Sequence, residues 1–116
     1  MVKIREKLRR IKLERIVCKT EGFIAQRLKE KGYKDFFIWH YGANWIDPKY
    51  LVIWMCVKTD TEREVLNDDV ELIAEAKKEL AKNGYPAHVM NEIHIGAESQ
   101  ETVDRESGGN WWHHFK

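Results

Sequence analysis

The chain has 116 residues, 43% hydrophobic and 34% charged, with a formal net charge of +1, the size and balance of one globular domain spanning residues 1–116. No run approaches the ~18 apolar residues of a membrane span, and the alternating charges of Met1-Val-Lys-Ile-Arg-Glu-Lys7 exclude the apolar stretch of a secretory signal. Cys18 and Cys56 stand far apart on segments that read as helix and strand, so they are expected to be buried free thiols of a cytoplasmic protein.

The charge is unevenly spread. Residues 1–20 carry eight Lys or Arg against two Glu, a net of +6, which leaves −5 for residues 21–116. A basic segment on an acidic body suits either a nucleic-acid contact or pairing with an acidic protein surface, its own or that of another subunit. The absence of a second basic patch favours the protein surface and makes nucleic acid the lesser partner.

Residues 3–31 predict a long helix: they lack proline, are rich in helix formers and stop at Gly32. At 100° per residue the apolar positions form two stripes. Leu13, Ile16, Val17, Ile24 and Leu28 should lie on a sheet. Ile4, Leu8, Ile11, Cys18 and Ala25 fall nearly opposite, in a heptad-like series broken by Arg15. The small Cys18, Gly22 and Ala25 would admit a second helix. Ile4, Leu8 and Ile11 are expected to overhang the body and seek a partner chain.

Phe36–Tyr41 and Tyr50–Val57 read as strands from their aromatic and β-branched content, joined by turn chemistry at Asn44, Asp47 and Pro48. The second is apolar on both faces, as a central strand would be. Residues 60–66 are ambiguous. Asn67-Asp-Asp69 predicts a helix start, with Leu66, Val70, Ile73, Ala76 and Leu80 on one face and Asn83-Gly84 as its end. Residues 87–95 alternate as a third strand, 97–109 read as a polar loop with one helical turn after Ser99, and Asn110–Phe115 as a fourth strand.

The resulting order, α-β-β-α-β-β, predicts an α+β fold: a two-layer sandwich whose antiparallel sheet carries both helices on one face. Moving the last strand to the front gives the ferredoxin-like order, so the expectation is a circular permutation of that arrangement.

With Leu51, Ile53, Met55 and Val57 toward the helices, the other face would show Tyr50, Val52, Trp54 and Cys56 beside His88, Met90, Glu92 and His94. Either Trp39 and Tyr41 or Ile38 and His40 would join them. So apolar a face needs a cover: a second copy of the sheet, the loop 97–109, or a ligand stacked on the rings. The candidate binding residues are therefore Trp39, Trp54, His88, His94, Trp111 and Trp112 on the sheet, with Ile4, Leu8 and Ile11 on the helix.

Glycine-rich phosphate loops, Cys-x-x-Cys, H-E-x-x-H and G-x-S-x-G are missing. Cys56-Val-Lys58 lacks the carboxylate of a nuclease core. His88, Glu92, His94, Glu98, Glu101, Asp104, His113 and His114 offer imidazole and carboxylate near the chain end, but no spacing among them marks a metal centre. An enzymatic reading takes His94 as acid or base, with Glu92 and Arg105 beside it under a lid hinged at Gly108-Gly109. The preferred reading is a small protein-interaction or regulatory module without cofactor or metal, forming a homo-oligomer or binding a protein, with a small molecule as a further ligand class. RNA binding through the first helix is the third reading.

Overall fold

The computed structural model describes residues 2–115. The first helix, α1, covers Val2–Glu30, and β1, Phe37–Tyr41, returns along it. A short 3-10 turn at Pro48–Tyr50 leads into β2, Val52–Val57. Two helices follow, α2 over Asp60–Asn67 and α3 over Val70–Lys82. A second 3-10 turn, Ala87–Val89, precedes β3, His94–Ser99, and the chain ends in α4, Gln100–Ser107, and the single turn α5, Trp111–His114.

The fold is α+β, as expected, but its sheet is smaller and differently connected. Three strands stand in the order β1-β2-β3. β1 pairs antiparallel with β2, with Trp39 opposite Trp54, and β3 lies parallel to β2, with Val52 opposite His94. The sheet is mixed because α2 and α3 carry the chain back to the end where β2 began, as a helical crossover requires. The antiparallel, permuted ferredoxin-like sheet is not formed.

Two expected strands are corrected. Between Pro86 and Ile93 the chain makes consecutive turns, with the Glu92 and Ile93 N–H groups both bonding the Val89 carbonyl. Val89 and Ile93 are buried four residues apart, which is helical spacing rather than strand alternation. β3 therefore starts at His94 and takes in residues expected to be loop. The segment 110–115 never joins the ladder. The free edge of β3 is closed instead by Asn67, whose side-chain amide accepts from the Ala97 N–H at 2.7 Å and donates to the Ala97 carbonyl at 3.1 Å. One side chain thus stands in for a neighbouring strand and blocks edge pairing.

The main core lies between the sheet and α1 with α3. Leu13, Ile16, Val17, Ile24 and Leu28 of α1 meet Leu51, Ile53, Met55 and Val57, and Leu72, Ala76 and Leu80 of α3 complete it. The expected sheet-facing stripe of α1 is the one used. The opposite stripe is open: Cys18 and Gly22 are exposed, and no helix approaches them. Cys56 is buried as expected, whereas Cys18 is not, since it sits on the stripe that has no partner within the chain.

α2 begins with a capping box, in which the Thr59 hydroxyl accepts from the Glu62 N–H and the Glu62 carboxylate from the Thr59 N–H. Gly42 takes φ +109° at the end of β1, where an added Cβ would lie 1.9 Å from the Tyr50 carbonyl oxygen. No relaxation of a flexible side chain relieves a clash with backbone. Gly42→Ala is expected to lower unfolding free energy by more than about 3 kcal/mol, read by urea denaturation. A loss under about 1 kcal/mol would show that the 42–50 turn can move aside.

Candidate functional site

The outer face of the sheet is built by strand alternation. β1 contributes Phe37, Trp39 and Tyr41, β2 contributes Val52, Trp54 and Cys56, and β3 contributes His94, Gly96 and Glu98. Trp54 and His94 share this face, with ring centroids 4.9 Å apart. Gly96 makes the contact possible: a Cβ there would come 2.7 Å from His94 Nε2. Partial burial against Trp54, reinforced by Lys77, holds the His94 imidazole below its usual pKa, although the residue remains exposed on one side. Burial also pushes the Cys56 thiol up to about 12, which keeps it protonated and unreactive.

The cover of this face comes from the chain itself. Phe115 stacks on Trp54 at 4.9 Å and leans on Trp39 at 5.3 Å and Tyr41 at 6.1 Å, and Trp111 meets Phe37 edge-on at 5.1 Å. The cap is fastened by polar bonds. His114 joins Glu98 Oε2 through Nε2 at 2.9 Å and the Ser107 hydroxyl through Nδ1 at 3.0 Å, while the Trp111 indole N–H donates to Gln100 at 2.7 Å. Asn110 caps the terminal turn by accepting from the His113 N–H. Trp39, Tyr41, Trp112 and Phe115 leave an apolar cavity of about 170 Å³ between them.

Beneath α4 lies a polar junction that the sequence reading did not anticipate. The Asp60 carboxylate accepts from the Ser99 hydroxyl at 2.5 Å, the Thr102 hydroxyl at 2.7 Å and Arg105 at 3.0 Å. Those hydroxyls, and then Arg105, hold it well below the ordinary carboxylate range. Arg63 reaches Glu98 and Thr102. Asp60 thus ties the start of α2 to Ser99, Thr102 and Arg105, and the junction fastens α2 to α4.

The proposed catalytic grouping of His94, Glu92 and Arg105 is not assembled. His94 opens β3, Arg105 is bound to Asp60 beyond its far end, and five strand steps separate those ends by about 17 Å. Glu92 and His88 lie exposed in the turns before β3, away from the alternation expected to align them with His94. Of the eight imidazole and carboxylate residues near the chain end, only Glu98 and His114 meet as a His–carboxylate pair. Among the described residues no group of three or more His, Cys, Asp or Glu could hold a metal ion.

His40, an alternative to Trp39 for the outer face by alternation alone, points inward, opposite Ile53. Its Nε2 lies 2.9 Å from Glu14 and its Nδ1 3.1 Å from Glu21, both on α1. The hydrogen bond it donates to Glu21 raises its pKa, burial opposes this, and the charges of both glutamates add to the rise. Nearby, Arg10 lies over the Trp45 ring at 4.1 Å, so the 42–47 turn is fixed to α1 as well.

α1 carries the remaining candidates. Ile4 and Leu8 are each 62% exposed and Ile11 44%. Arg5, Lys7, Arg9, Arg10 and Lys12 around them are exposed too. The side chains of Lys7, Arg10, Ile11, Glu14, Arg15 and Cys18 line an open groove along this stripe. Among the described residues no helix is long and apolar enough to cross a membrane. Comparison with family models, with curated proteins and with solved structures gives no match for this chain.

Two outcomes test this geometry. Phe115→Ala should lower unfolding free energy by about 1–3 kcal/mol and shift tryptophan emission to the red, since Trp54 and Trp39 lose their cover; unchanged emission would mean that the cap does not shield them. For His40 the raised pKa means that its ion pairs contribute fully below the unfolded value near 6.5 and are lost as pH rises through the folded value. The difference in melting temperature between wild type and His40→Gln should therefore shrink as pH rises above about 6.5. A constant difference would show that the pairing carries no charge-dependent stability.

Proposed function

We propose that this chain is a protein-interaction module that self-associates through the exposed stripe of α1. One observation carries the reading: an apolar row at i, i+4 and i+7, Ile4, Leu8 and Ile11, stands open to solvent on a helix whose other stripe is fully used by the core. Such rows are the anchors by which one helix docks on another protein surface. The aromatic sheet face, first considered an equal partner site, is occupied by the terminal Trp111 and Phe115. The rings it leaves exposed are Trp112, at 71%, and Phe37, at 46%. The enzymatic reading loses its expected grouping, since Arg105 is bound to Asp60 away from His94.

Burying three side chains of this size yields on the order of 3–5 kcal/mol at the interface, against the freedom lost on association. The complex is therefore expected to be reversible, in the micromolar range or weaker. The flanking cations favour an acidic partner surface and make the association sensitive to salt. The same cations favour a second reading, RNA bound through phosphate contacts. That reading would be supported by RNA affinity that survives Leu8→Asp and falls steeply with salt.

Sedimentation velocity over a concentration series tests the main reading. Wild type should associate at low salt, and Ile4→Asp with Leu8→Asp should remain monomeric. Both positions are exposed, so the melting temperature should be unchanged. A variant that associates as wild type does would sink the reading.

A further inference from the structure

The molecule shows a second exposed apolar patch, and its charge is opposite to that of α1. At the corner between α2 and α3, Val65 is 57% exposed and Val70 73%. Glu64, Asp68 and Glu71 around them are exposed as well. Residues 60–71 hold six acidic residues and one basic residue, Arg63, a net of −5, equal to the whole excess of the acidic body. The corner is a fixed surface: Asp69 accepts from the Leu72 N–H at 3.0 Å, pairs with Lys31 at 3.3 Å and so caps α3.

Its position matters as much as its chemistry. Lys31 directly follows the last residue of α1, so the acidic corner sits at the C-terminal end of that helix. Ile4 lies at the other end, about 40 Å along the axis at 1.5 Å per residue, in a molecule whose longest extent is 47 Å. The two patches have opposite charge, each has an apolar centre, and they cannot meet within one chain.

We propose that the basic, apolar end of α1 docks on the α2–α3 corner of a second copy, head to tail. This rests on the reading of α1 as the binding strip and names its partner surface. Parallel pairing of two α1 helices would instead set Arg5, Lys7, Arg9, Arg10 and Lys12 of each copy against the same cations of the other, and like charges across an interface are costly. Antiparallel pairing of two α1 helices would leave Val65 and Val70 in water. The head-to-tail contact covers both patches and pairs Lys and Arg with Glu and Asp. Because such a contact is heterologous, a dimer joined by one contact keeps one free head and one free tail, from which assembly proceeds to rings or chains.

Two variants test it by sedimentation velocity and native mass spectrometry at low salt. Ile4→Asp with Leu8→Asp blocks the head; Val65→Lys with Val70→Lys blocks the tail. All four positions are exposed, and circular dichroism checks that each variant folds. Wild type should form species larger than a dimer as concentration rises. Each variant alone should be monomeric, and an equimolar mixture should give a one-to-one heterodimer and nothing larger, since one intact head then meets one intact tail. A tail-blocked variant that associates like wild type overturns the head-to-tail contact while leaving the α1 reading standing. A mixture that stays monomeric overturns it as well, and a wild type that is monomeric throughout ends both.

Discussion

A single strand that is apolar on both sides imposes the architecture. Ile53, Met55 and Val57 of β2 face one way and Val52, Trp54 and Cys56 the other, so water must be kept from both flanks of a three-stranded sheet. α1 and α3 shield the inner flank with aliphatic side chains. The outer flank is shielded by a much smaller element, the terminal Trp111–Phe115 segment, which works because aromatic rings bury large areas per residue. The polar fastenings follow from this economy. One helical turn has too few backbone bonds to hold itself in place, and His114 with Glu98 and Ser107, and Trp111 with Gln100, supply what the turn lacks.

The same constraint draws the most chemically suggestive residues into the fastenings. Imidazoles and carboxylates concentrate near the chain end, which invites an active-site reading. In the structure Glu98 and His114 pin the cap, Asp60, Thr102 and Arg105 bind two helix starts together, and His40 bridges β1 to α1. Their acceptors and donors are spent on one another. The exposed apolar rows are peripheral: the N-terminal part of α1 and the corner at Val65 and Val70. A body this small exposes such rows at a cost in solubility that a partner surface would remove.

Part of this was legible in the residues. The α1 stripes, the inward face of β2 and the overhang of Ile4, Leu8 and Ile11 all follow from periodicity, because a long helix and a β-branched strand leave strong repeating signals. Other signals were present but weaker. Thr59-Asp-Thr-Glu62 is a capping box that marks the start of α2, within the stretch that hydropathy left ambiguous. Ser99 followed by Gly108-Gly109 frames α4 with an N-cap and a left-handed stop at φ +59°. β3 was displaced because Gly96 and Ala97 have low strand propensity, whereas His88–Ile95 alternate by accident.

Sequence alone thus determined which elements are long and which of their sides are greasy, since both properties depend on neighbours a few positions away. Tertiary structure decided where β3 begins, that it runs parallel to β2, and that the terminal aromatics fold over the sheet instead of extending it. Those outcomes depend on distant partners. Asn67 occupies the β3 edge that a fourth strand would need, and Phe115 packs on the rings of Trp54, Trp39 and Tyr41. Periodicity records what a segment can bury, and only the assembled chain fixes what it is buried against.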